Sequence, residues 1–180
     1  MSGFFAKIFG KKSKARQELA DDIVTTSMAC GQTYIANSSN SGGGEKDLGQ
    51  HVNEFIYFFL HMVNRGAFSS GGKYAQEVIY DEVAEHIFNK LMSNFDQDQR
   101  SVLIEIYADG IIVTEEIYGK CKKFTREGDE SMENTLLWES VKRVSQSSDD
   151  EERVLAAELI SAGLQTLKIN SRIDLILKNI

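Results

Sequence analysis

Residues 55–63 read FIYFFLHMV, a run of nine mostly apolar residues preceded by Glu54 and followed by Asn64 and Arg65. A helix that spans a bilayer needs about eighteen or more consecutive apolar residues. The run is too short for that, so we expect it to form the buried central helix of a bundle. The surrounding pattern extends this helix over residues 47–66.

Apolar residues recur at three- and four-residue steps along most of the 180-residue chain, which is typical of amphipathic helices. The pattern predicts about five long helices, without sustained heptads or a repeat of 20–50 residues. No proline interrupts any of them. The predicted fold is therefore all-α, a compact irregular helical bundle with a short amphipathic basic segment at its N-terminus.

Several helix boundaries follow from local signals. A helix over 15–37 is weakened near Gly31, and the short turn predicted in 66–74 makes the helices at 47–66 and 73–93 antiparallel. The Ser148-Asp149-Asp150-Glu151 sequence predicts a capped helix start, and Asn170-Ser171 predicts a break before the C-terminus.

Residues 110–119, GIIVTEEIYG, could form a helix or a strand, because the stretch is rich in β-branched residues, which favour strands. We prefer a helix, since a lone strand would have no partner. This helix is expected to begin at a capping box from Asp96 to Gln99 and to end near Phe124. The residues expected along its apolar face are Val102, Leu103, Ile106, Tyr107, Gly110, Val113 and Ile117.

Charge divides the chain into two parts. The formal net charge is −7, yet residues 1–16 hold five bases and no acid, which leaves 15 bases and 27 acids in residues 17–180. The predicted organisation is a basic segment at 1–16 and one acidic helical domain at 17–180, with a flexible loop at 37–46, NSSNSGGGEK. An acidic body disfavours nucleic acid as a partner.

The basic segment also carries four apolar residues at helical spacings. Its charges follow the apolar residues, which is the wrong order for a signal peptide. The pattern favours an amphipathic segment that binds an anionic membrane surface or a protein partner. Docking on the chain's own core and a frayed tail remain alternatives. The residues assigned to binding are Phe4, Phe5, Lys7, Ile8, Phe9, Lys11, Lys12, Lys14 and Arg16.

Histidines and glutamates provide a second candidate site. Neither Glu-x-x-His nor His-Glu-x-x-His occurs, but the helical periodicity places several such residues on adjacent faces of two helices. These could converge on one divalent metal, although such histidines are more often half-buried side chains at the margin of an apolar stripe. The candidate ligands are His51, Glu54, His61, Glu82 and His86.

Catalytic motifs are missing from the sequence. There is no Gly-x-Ser-x-Gly, and Cys30 and Cys121 lie far apart without a C-x-x-C spacing. We interpret them as reduced thiols in a cytoplasmic protein and expect no cofactor. Adjacent acids such as Glu115 and Glu116 are expected on solvated faces.

The sequence therefore favours a non-enzymatic helical interaction protein of the cytoplasm, located at the inner face of a membrane if its basic segment binds lipid. One alternative is a metal-binding bundle or metalloenzyme. A further alternative is an acidic inhibitor that docks a basic protein. A homodimer could form through 55–63 or through the isoleucine-rich C-terminus.

Overall fold

The computed structural model describes residues 14–38, 47–125, 127 and 131–178, and the regular structure in these residues is entirely helical. This confirms the predicted all-α bundle, and it confirms a helix over 110–118. The predicted loop at 37–46 lies outside the described residues except for Asn37 and Ser38. The helices are α1 (Lys14–Asn37), α2 (Leu48–Leu91), α3 (Gln97–Tyr118), α4 (Leu136–Ser145), α5 (Asp150–Leu167) and α6 (Ile169–Leu177).

Helix α2 folds back on itself at Gly72, whose φ of 68° and ψ of −164° are not helical. Side chains show the reversal: Nε2 of Gln76 donates to Oδ1 of Asn64, twelve residues earlier. A straight helix would separate two such residues by about 18 Å. The halves of α2, residues 48–71 and 73–91, are thus antiparallel as predicted, but the turn is confined to one glycine, where a side chain would strain the backbone.

The first half of α2 is the centre of the molecule. Six consecutive residues, 55–60, are buried, so the helix has no solvent-facing side over this stretch. Helix α1 packs along it, and a Cβ on Gly31 would lie 2.6 Å from Cγ2 of Val52. Gly31 therefore permits close packing within α1, which continues through it as one uninterrupted helix.

Three of the predicted helix boundaries need correction and one is confirmed. Asp96 and Gln99 form the predicted capping box, although α3 ends at Tyr118, six residues before the predicted end. Helix α5 is capped by Asp149, not Ser148. The chain breaks at Lys168, whose φ is 47°, two residues before the predicted break.

No helix in the described ranges combines the length and the apolar character that crossing a membrane requires.

Replacing Gly31 with alanine is expected to lower the free energy of unfolding by about 1–2 kcal/mol. The clash with Val52 costs about 1–3 kcal/mol, which exceeds the gain of about 1 kcal/mol or less from helix propensity. Urea denaturation followed by circular dichroism measures the change. The matched control is Gln32→Ala at the exposed neighbouring position, expected within about 0.5 kcal/mol of the native chain. A Gly31→Ala protein more stable than the native one would contradict the close packing.

Candidate functional site

The predicted binding segment lies mostly outside the described residues, which begin at Lys14. The Lys14 side chain is 90% exposed and lies 3.5 Å from Glu18. Arg16 is instead buried, and its Nε lies 2.7 Å from Oε2 of Glu82. Its assignment to a membrane or partner surface is thus corrected: Arg16 ties the start of α1 to the second half of α2.

The five candidate metal ligands do not converge. Glu82 pairs with Arg16, and His86 lies 3.3 Å from Asp21 on α1, so these two side chains face α1. Asp21 also lies 2.6 Å from Nζ of Lys90, whose hydrogen bond lowers the pKa of the carboxyl. The second half of α2 therefore directs its two candidate ligands away from the other three.

His51 and Glu54, near the start of α2, both face α4. Nδ1 of His51 lies 2.8 Å from the carbonyl oxygen of Val144. Glu54 accepts two hydrogen bonds from the Arg143 guanidinium, at 2.7 and 2.9 Å. Burial raises the pKa of Glu54, and Arg143 opposes that shift. No group of three or more potential metal ligands forms within the part of the chain that the structure describes.

The last candidate ligand, His61, belongs to a polar network that joins α3 to α2. Its Nδ1 lies 2.9 Å from Oε2 of Glu115, and Asn64 donates to the same oxygen at 2.9 Å. Because a carboxylate only accepts hydrogen bonds, Nδ1 is the donor. Gln76 then extends the network to the second half of α2. Glu115 is therefore a partly buried partner, with 27% of its side chain exposed, and not the fully solvated acid that the sequence predicts.

A histidine oriented by a carboxylate is also the arrangement that general-base catalysis uses. In this protein, however, the His61 side chain is only 3% exposed and its Nε2 is fully buried. A substrate atom cannot reach that nitrogen in this conformation. The pair holds α3 in place.

Aromatic residues supply the rest of the α3 contact. The Tyr107 ring lies 5.7 Å from the rings of both Tyr57 and Phe88, one from each half of α2. Tyr118 packs 5.2 Å from the His61 ring. Burial raises the pKa of Tyr107 and Tyr118, so both hydroxyls stay protonated near neutrality.

These buried polar groups are incompletely paired. Within the described residues, Nε2 of His61 and the hydroxyls of Tyr80, Tyr107, Thr114 and Tyr118 have no hydrogen-bond partner. A buried polar group without a partner costs about 1–3 kcal/mol.

Most aliphatic residues of α3 face away from this contact, although Ile111 and Ile117 pack partly against the core. The predicted apolar face is corrected on this point, because three of its members, Val102, Ile106 and Val113, are exposed. At about 100° per residue these three lie within about 40° of one another. Together with a second group on the opposite flank, the exposed aliphatic residues are Val102 (60%), Ile104 (47%), Ile106 (60%), Ile112 (56%) and Val113 (48%).

Acidic side chains separate these two aliphatic groups. Glu105, Asp109 and Glu116 are exposed and also lie within about 40° of one another around α3. The only base in α3 is Arg100, which donates to the carbonyl oxygens of Phe95 and Ser93. We call these three acids and the five exposed aliphatic residues the outer face of α3. It combines an apolar surface with net negative charge.

The two cysteine thiols show no sign of activation. Burial raises the pKa of Cys30 to about 11, and it also raises the pKa of Cys121. Reactive cysteines have lowered pKa values, which keep the nucleophilic thiolate populated at neutral pH. These two thiols are therefore protonated under such conditions.

Comparisons with protein-family models, with curated proteins and with solved structures find no match to this chain.

Truncating Glu115 to alanine is expected to lower the free energy of unfolding by about 1–3 kcal/mol, because the buried His61 and the half-buried Asn64 lose their common acceptor. Chemical denaturation monitored by circular dichroism measures the loss. Glu116→Ala is the matched control, since the adjacent acid is exposed on the same helix. Equal effects of the two substitutions would show that the network around His61 does not stabilise α3.

Proposed function

We propose that this chain is a non-enzymatic helical interaction protein that binds a basic amphipathic segment of a protein partner on the outer face of α3. The observation that carries the proposal is the orientation of α3. It exposes five aliphatic residues, whereas Tyr107 and Tyr118 are buried and Glu115 is partly buried. Exposed aliphatic residues grouped on one helix, with charged residues between the groups, are typical of surfaces that bind a partner.

The charge pattern supports a basic partner. Lysines or arginines placed beside the apolar residues of such a segment would face Glu105, Asp109 and Glu116. A second copy of this chain fits less well through the same face, since pairing α3 with α3 would bring like charges together. The proposal agrees with the −12 charge of residues 17–180, formed by 15 bases and 27 acids.

A membrane role accompanies the interaction role. We propose that Lys7, Lys11, Lys12 and Lys14, together with the phenylalanines of residues 1–13, hold the chain at an anionic membrane surface. The segregation of basic residues supports this part of the proposal, since each cation near such a surface contributes about 1 kcal/mol. Arg16 is left out because it is buried in an ion pair.

A titration tests the α3 surface. A synthetic amphipathic helix made of leucine and lysine is titrated into the full chain with Lys7, Lys11 and Lys12 replaced by glutamate, so that the N-terminal segment cannot compete. Adding Ile106→Ser is expected to weaken binding about tenfold, because a buried isoleucine contributes about 1.5–3 kcal/mol and 1.4 kcal/mol is a factor of ten.

The control for this titration is Val154→Ser on α5, a residue with almost the same exposure of 58%. It should leave the affinity unchanged. The proposal fails if the peptide does not bind, or if both serine variants bind it as tightly as their parent.

Co-sedimentation with vesicles of phosphatidylcholine and phosphatidylserine tests the membrane role. The native chain should sediment with these vesicles, and the Lys7, Lys11 and Lys12 to glutamate variant should not, since attraction becomes repulsion. The same charge change at the exposed Lys73, Lys120 and Lys178 serves as the control and should preserve sedimentation. Loss of sedimentation in both variants would mean that only net charge matters, and no sedimentation of the native chain would exclude the membrane role.

A further inference from the structure

We propose that the N-terminal segment of this same chain, residues 1–13, binds intramolecularly to the outer face of α3. This inference rests on the binding surface proposed above and names one occupant for it. The segment would compete for this face with a partner segment.

The composition of the segment matches the surface. Residues 1–13 contain Lys7, Lys11 and Lys12 and no acid, and their apolar residues include Phe4, Phe5, Ile8 and Phe9. The outer face of α3 presents aliphatic ridges on both sides of an acidic stripe. A segment of this composition can therefore place its apolar residues on a ridge and its lysines over the acids.

The position of α1 places the segment within reach. The Arg16–Glu82 contact of 2.7 Å holds the start of α1 against the second half of α2. That same half contacts α3 on another side, where the rings of Phe88 and Tyr107 are 5.7 Å apart. The outer face is on the far side of α3, so the segment must pass the second half of α2 and α3 itself, a distance of about 20 Å. Thirteen residues in extended form span at most about 43–47 Å, so an extended segment can reach the outer face.

Tethering favours this occupant over a free peptide of the same sequence. A short connection between two binding groups gives an effective concentration in the millimolar range. Modest complementarity is then enough for the segment to occupy the face most of the time. Binding to α3 and binding to lipid use the same phenylalanines and lysines, so the two states exclude each other.

Brief trypsin digestion of the full-length native chain tests the proposal, with mass spectrometry following cleavage after Lys7, Lys11 and Lys12. Protease attacks a bound segment only when it dissociates, so Ile106→Ser should accelerate these cleavages about fivefold or more. Val154→Ser is the control and should cleave at the native rate. Circular dichroism checks that all three proteins keep the same helical content.

Equal cleavage rates in the three proteins would overturn the proposal. Protection that disappears on dilution would also overturn its intramolecular form, because the segment would then occupy the α3 face of a second copy. The result is separable from the proposed function. The leucine and lysine peptide titration reports on the surface alone, so peptide binding with equal cleavage rates removes this inference and keeps the surface.

Discussion

The whole bundle depends on the burial of residues 55–60 on every side of the first half of α2. A surface helix needs cover on one side only, but a helix with six consecutive buried residues must be surrounded. The fold provides this cover by turning α2 back at Gly72 and by placing α1, α3 and the C-terminal helices around it. Each large apolar side chain buried in this way contributes about 1.5–3 kcal/mol.

Polar residues at both ends of the central run determine which helix covers which face. Glu54 accepts a bidentate hydrogen bond from Arg143 on α4, and His61 lies against Glu115 on α3. A buried charge left unpaired costs several kcal/mol, so arrangements that separate these pairs are disfavoured. Apolar burial therefore drives the helices together, whereas the polar pairs select the arrangement among the possible ones.

Local signals in the sequence predicted local structure well. The Asp96 capping box depends on atoms within four residues, and the reversal between the halves of α2 follows from a short glycine-rich stretch. Periodicity placed His51, Glu54 and His61 near one another on a helix, but their partners Val144, Arg143 and Glu115 are 93, 89 and 54 residues away in sequence. Nothing in the local pattern reveals such partners, so the metal site was a reasonable expectation that the tertiary structure does not support.

Hydropathy alone did not predict which side of α3 is buried. Hydropathy ranks valine and isoleucine above tyrosine, which predicts that Val102, Ile106 and Val113 face inward. A tyrosine, however, buries a larger area, and Tyr107 fits between two aromatic rings while Tyr118 packs against Phe58 and His61. Shape at the groove, where Gly110 lets α3 approach Tyr57, outweighs hydropathy.

The orientation of α3 also determines which of its residues are available for binding. The rings of Tyr107 and Tyr118 hold α3 by packing, since their hydroxyls lie buried without partners in the described structure. The same orientation leaves five aliphatic residues of α3 exposed to water. A ligand that covers them would gain about 25 cal/mol for each Å² of apolar surface removed from water, offset by the freedom lost on association. The proposed binding role therefore depends on the aromatic packing that turns these aliphatic residues outward.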